Sequence, residues 1–114
     1  MAIEVQTQVL DADPALREIV RRIAGAYQPL QIYLFGSMAC GTAGPDSDYD
    51  LLVVVPDDAP PEQRKSKLAH QRLWGIDKAK DVLVCTEGWF RSRVNLVSSL
   101  AGTVVREGKL LYAA

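Results

Sequence analysis

The chain has 114 residues, of which 48% are apolar and 24% charged, the make-up of one globular domain running from 1 to 114. Thirteen basic residues against fourteen acidic leave a net charge of −1, so no overall field recruits a polyanion and direct nucleic-acid binding is not expected. The longest aliphatic run, residues 51–55, is far short of the roughly 20 residues that cross a bilayer. The opening MAIEVQTQ lacks a basic segment followed by an apolar one, so it does not read as a secretory signal. Cys40 and Cys85 offer neither a disulfide framework nor metal-site spacing. The expectation is a reduced, cytoplasmic chain with no membrane partner.

Asp13-Pro14 opens the first predicted helix, Asp as cap and Pro in the first turn. Leu16, Ile19, Val20 and Ile23 share one face, with Arg17, Glu18, Arg21 and Arg22 largely opposite, and Gly25 and Pro29 bracket the end. Residues 30–35 read as a strand stopped by Gly36-Ser37. Residues 37–44 are small and Gly-punctuated, a turn leading into one or two helical turns, and Pro45-Asp46-Ser47 turns again. Residues 48–55 form a second strand, acidic at its start and continuously apolar after Asp50, the pattern of a strand buried on both faces whose beginning emerges at a site.

After a linker at 56–61, residues 62–74 read as a basic amphipathic helix. Leu68, Gln71 and Trp74 lie underneath, Arg64, Lys65, Lys67 and Arg72 outside, and Gly75 ends it. A third strand covers 80–86, and Thr86-Glu87 opens a helix carrying Trp89, Phe90 and Val94. Residues 95–102 continue that helix or begin a short one, and 104–112 close the chain through a Glu-Gly-Lys turn and a short strand. The order α-β-α-β-α-β-α with a β-like tail predicts an α/β (α+β) layer built on a small mixed sheet flanked by helices.

The chemistry concentrates in residues 34–52. Side chains alternate along a strand, so Asp48 and Asp50 project from one face. Neighbouring carboxylates repel, and a divalent cation relieves the conflict. Mg²⁺ favours one or two carboxylates together with substrate phosphate oxygens. Gly36-Ser37, directly after a strand, leaves backbone N–H groups open to a phosphate, and the Ser37 hydroxyl can donate to one of its oxygens.

Gly36-Ser37-x-Ala39-x-Gly41-Thr42 followed by Ser47-Asp48-x-Asp50-Leu51 resembles the signature of the DNA polymerase β-like nucleotidyltransferase superfamily in its minimal form. The resemblance runs from about Ile19 to the closing Arg106-Glu107-Gly108-Lys109-Leu110-Leu111-Tyr112. It implies the polymerase β-like nucleotidyltransferase fold and a third carboxylate on a neighbouring strand, which Asp81 would supply. Asp81 opens an otherwise apolar strand, a place where an acid usually reaches solvent or a metal. The implied catalytic and metal-binding set is Asp48, Asp50 and Asp81, with Gly36, Ser37, Asp48 and Asp50 holding the nucleotide. The implied chemistry is transfer of AMP from ATP to a hydroxyl with two Mg²⁺ ions. In this family an Arg or another large polar residue often stands where this chain has Cys40.

Minimal nucleotidyltransferases commonly pair with a small helical HEPN protein as the antitoxin of a toxin–antitoxin system. The resemblance therefore implies an adenylyltransferase acting on a hydroxyl, a tyrosine, of a HEPN toxin. The alternative is a subunit with a weakened nucleotide site that masks the toxin by binding, which Cys40 favours. Aminoglycoside-type transfer to a small molecule is expected to fit less well, for want of an acceptor-holding domain within residues 1–114. Elsewhere, His70 reads as a solvated or half-buried helix position, Cys85 as core, the Arg64-Lys65-Lys67 cluster as a solvated face, and Trp74, Trp89 and Phe90 as core or partner interface.

Overall fold

A computed structural model describes residues 4–36 and 48–114. Helix α1 (Thr7–Ala12) precedes α2 (Pro14–Tyr27), then strands β1 (Gln31–Phe35) and β2 (Tyr49–Val55). A 3-10 turn (Pro61–Arg64) leads to α3 (Lys67–Arg72), followed by β3 (Lys80–Thr86), α4 (Glu87–Arg93), α5 (Leu100–Glu107) and β4 (Lys109–Ala113). The expected helical turn at 37–44 lies outside the described residues, as do Ser37 and Cys40.

The strands form one mixed sheet in the order β3-β2-β1-β4, with β2 parallel to β3 and β1 antiparallel to both β2 and β4. Helices cover both faces, and the period-2 alternation of β2 shows how. Leu51, Val53 and Val55 pack with Leu16, Ile19 and Ile23 of α2, whereas Leu52 and Val54 pack with Phe90 of α4 and Val104 of α5. Ile19 and Ile23 are fully buried, each contributing about 1.5–3 kcal/mol, so α2 owes its place to packing more than to propensity.

Helix α2 starts where the sequence places it. The Asp13 carboxylate accepts from the Leu16 N–H at 3.1 Å, satisfying one of the free donors of the first turn. The helix then runs through Gly25 and ends at Tyr27, with Gln28 in the left-handed region at φ 48° as its cap. Gly25 is an exposed helix residue, so Gln28 and Pro29 end the helix.

Residues 62–74 depart most from expectation. The backbone turns extended at Lys65 (φ −121°, ψ 147°), which splits the predicted helix into the 3-10 turn and α3. Buried Tyr27 holds the break, its hydroxyl donating to Lys65 O at 2.5 Å and accepting from Ala69 N at 2.9 Å. The restart shifts the helical phase, so Ala69 and Leu73 are buried while Gln71 is exposed and Trp74 is 86% exposed.

Two more boundaries move. α1 has no side-chain cap and left no clear signal in the sequence. At the far end α5 starts at Leu100, where the Ser99 hydroxyl accepts from Gly102 N at 2.9 Å, and continues to Glu107 through residues expected in the closing turn. Phe90 joins the core, stacking on Tyr33 with centroids 5.5 Å apart, whereas Trp89 stays 36% exposed. Among the described residues, no helix is long and apolar enough to cross a membrane.

Candidate active site

The two central strands bring the acidic residues together. Asp50 is the second residue of β2 and Asp48 stands just before the strand. In the parallel β2–β3 ladder Asp50 pairs with Asp81, and paired residues on adjacent strands point to the same side of a sheet. Alternation puts Asp50 on the face of Leu52 and Val54, the α4–α5 side. The Asp50 and Asp81 side chains therefore share one sheet face at the beginning of both strands, and Asp48 immediately precedes β2. Asp48 and Asp81 are exposed there, and Asp50 is half-buried.

Their mutual charge registers on Asp50. Partial burial, then the negative charges of Asp81 and Asp48, push its carboxyl above the usual carboxylate range. Among the described residues, no three His, Cys, Asp or Glu side chains are gathered tightly enough to hold a metal ion as they stand. The two observations differ in range, because charge coupling acts over distances that direct ligation does not. Holding one cation between the three carboxylates would require their side chains to rotate towards one another. Hard carboxylate oxygens in mutual repulsion fit a divalent cation such as Mg²⁺.

Gly36 adjoins this cluster. It follows Phe35, which pairs with Asp50 across the β1–β2 ladder, and its φ of 76° lies in the left-handed region. A Cβ at Gly36 would collide with Asp50 Oδ2 and stand 3.2 Å from the carboxyl carbon. Glycine thus permits both this left-handed backbone and the place of the Asp50 carboxylate. Ser37, the other expected phosphate contact, lies outside the described residues.

One positioning feature escaped sequence reasoning. Tyr49, between the two acids, points to the opposite face, is 4% exposed, and donates its hydroxyl to Asp13 Oδ2 at 2.7 Å. Burial and the Asp13 carboxylate push the phenol up to about 12. The helix-capping Asp13 therefore also anchors the start of β2. An aromatic residue between two acids was visible in the sequence, but its partner 36 residues upstream was not.

The remaining candidates stand apart. Cys85 is partly buried and its thiol is pushed up to about 12 by burial, which suits a packing residue. His70 is exposed on α3. A cavity of about 770 Å³ lies between α4, α5 and the chain end, lined by Gln31 and Tyr33. Because Gln31 pairs with Val54, this cavity sits at the opposite end of β2 from Asp50. A groove of about 480 Å³, lined by Leu52, Leu83 and Trp89 among others, begins two residues along the strands from Asp50 and Asp81.

The nucleotidyltransferase domain family matches residues 14–101, a span that takes in Gly36 and all three carboxylates. Among solved structures, a toxin–antitoxin structure with AMP-PNP is 28% identical with a TM-score of 0.61, over 86% of this chain and 73% of that one. The MntA-HepT toxin–antitoxin is 24% identical at a TM-score of 0.56, over 89% of this chain and 72% of that one. A tri-AMPylated Shewanella oneidensis HEPN toxin in complex with its MNT antitoxin is matched at 23% identity and a TM-score of 0.55, over 89% of this chain and 71% of that one. The last two, below 25% identity, speak to the fold alone. No curated protein sequence matches the chain. With most of its length matched by the family and its fold shared with MNT antitoxins, the chain belongs to the nucleotidyltransferase domain family.

Proposed function

We propose that this protein is an antitoxin that transfers AMP from ATP to a hydroxyl, a tyrosine, of a HEPN-type toxin, in the cytoplasm and with Mg²⁺. The observation that carries the reading is Asp50 paired with Asp81 on one sheet face, with Asp48 near enough for its charge to act on Asp50 as well. The similarity to a toxin–antitoxin structure with AMP-PNP supports a nucleotide substrate. The tri-AMPylated HEPN toxin of the Shewanella complex supplies the precedent for the acceptor.

In this reading the acceptor oxygen attacks the α-phosphorus of ATP. A new oxygen–phosphorus bond forms, the bond from the α-phosphorus to the bridging oxygen breaks, and pyrophosphate leaves. Mg²⁺, when bound, would neutralise charge on the phosphates. Asp48 and Asp50 would hold the cation that meets the triphosphate. Asp81, on the edge strand, would face the acceptor, as a ligand on that side or as the group that takes the hydroxyl proton. Gly36, with Ser37 beside it, would let the triphosphate approach the backbone closely.

The direct test is transfer of label from α-labelled ATP to a purified HEPN toxin, with pyrophosphate release measured in parallel. Wild type should label the toxin, and Asp50→Asn should not while remaining folded. The second reading, neutralisation by binding alone, has Cys40 in its favour. It predicts that Asp50→Asn still neutralises the toxin in cells.

A further inference from the structure

The groove beside the carboxylates belongs to β3, and β3 is the edge of the sheet. Leu52 and Leu83 pair with each other and follow Asp50 and Asp81 by two residues on the same face, about 7 Å along the strands. From there the groove runs past Cys85 to Trp89, Leu100 and Arg64. The phosphate-side turn at Gly36 flanks Asp50 from β1. A nucleotide held there occupies the β1 side of Asp50, which leaves the β3 side for the acceptor.

The surface of this groove has the character of a protein contact. Leu83, Trp89 and Leu100 are 38%, 36% and 36% exposed and line the groove together. Large apolar groups exposed together on a small domain usually mark an interaction site. Two cations edge it. The Arg93 guanidinium lies 4.6 Å from the Trp89 ring centroid, and Arg64 lines the groove. Among the described residues neither of them pairs with a carboxylate. Trp and Arg dominate the energetics of protein interfaces.

We propose that the groove lined by Leu83, Trp89 and Leu100 seats the acceptor protein, through an apolar segment flanked by acidic residues that meet Arg64 and Arg93. Docking there presents the receiving hydroxyl to Asp81. The proposal rests on the reading of the chain as an adenylyltransferase for a HEPN-type protein and adds where that protein binds.

The test uses purified HEPN toxin as the probe, with its affinity measured by calorimetry at two salt concentrations and AMP transfer measured separately. Trp89→Ala with Leu100→Ser should weaken toxin binding about tenfold or more, with the Mg-ATP melting shift preserved. Arg64→Glu with Arg93→Glu, both surface changes that spare the core, should weaken it similarly and reduce its dependence on salt. If both double variants bind toxin as wild type does, the proposal falls, whatever the transfer result. Variants that bind toxin normally but lose the Mg-ATP shift would assign the groove to the nucleoside and also overturn it. Binding that is lost in the variants while even wild type transfers no AMP would uphold the docking surface and refute the transferase reading. A wild type that binds no toxin overturns the proposal.

Discussion

Replacing Gly36 with alanine tests how the fold places its central carboxylate. Two costs add. The left-handed conformation at φ 76° costs an L-residue roughly 1–2 kcal/mol. The new Cβ would also enter the space of Asp50 Oδ2, and pushing that carboxylate off its rotamer costs about 0.5–1.5 kcal/mol. Together they come to about 1.5–3.5 kcal/mol, and over a chain of 114 residues that lowers Tm by roughly 6–15 °C. The two parts separate in a double-mutant cycle with Asp50→Ala. Removing the carboxylate abolishes the collision, so Gly36→Ala in that background should cost only the backbone share, leaving a coupling of about 0.5–1.5 kcal/mol. Melting curves of the four proteins are sufficient. Equal costs of Gly36→Ala in both backgrounds would refute the claim that the glycine makes room for Asp50.

Asp50→Asn should be at least as stable as wild type at pH 7. The folded carboxyl is raised above its unfolded value by burial and by Asp81 and Asp48, so the folded state binds more protons through that window. Wild type therefore loses stability as pH rises through the raised value, and the gap to Asp50→Asn should close below the carboxylate range, which melting as a function of pH checks. Tyr49→Phe removes the 2.7 Å bond to Asp13 and should cost about 1–2 kcal/mol in urea unfolding; a change within error would show that the anchor is idle. In a Cys40→Ser background, Cys85, its thiol pushed up to about 12, should react with a disulfide reagent at pH 7.5 far more slowly folded than in denaturant. Equal rates would contradict its burial.

The parts of the fold written in local patterns were legible in the sequence. The Asp13-Pro14 start of α2, the apolar β2 with its acidic beginning and the Thr86 cap of α4 all follow from capping and alternation. What the sequence hid depends on contacts distant along the chain. The Lys65 break is held by Tyr27, 38 residues away, and it reversed the expected burial of Trp74. The α5 helix forms where Ser99 caps it, although Gly102 and Gly108 lie within and just after it. In the candidate site, the pairing of Asp50 with Asp81 needed the parallel ladder, and only the family resemblance singled out Asp81 beforehand. Gly36 stood out as a turn glycine, while its contact with Asp50 became visible only with the β1–β2 register.

The central claim is that Asp48, Asp50 and Asp81 form a site for a metal-bound nucleoside triphosphate. The most direct measurement is Tm for wild type and Asp50→Asn, each alone, with ATP, with Mg²⁺ and with both. At a hundredfold excess over its dissociation constant a ligand stabilises the folded state by about 2.7 kcal/mol, a shift easily read in a chain of this size. The account predicts a rise in wild type that needs ATP and Mg²⁺ together and vanishes in Asp50→Asn. An equal rise in both proteins, or none in wild type at saturating Mg-ATP, would contradict it.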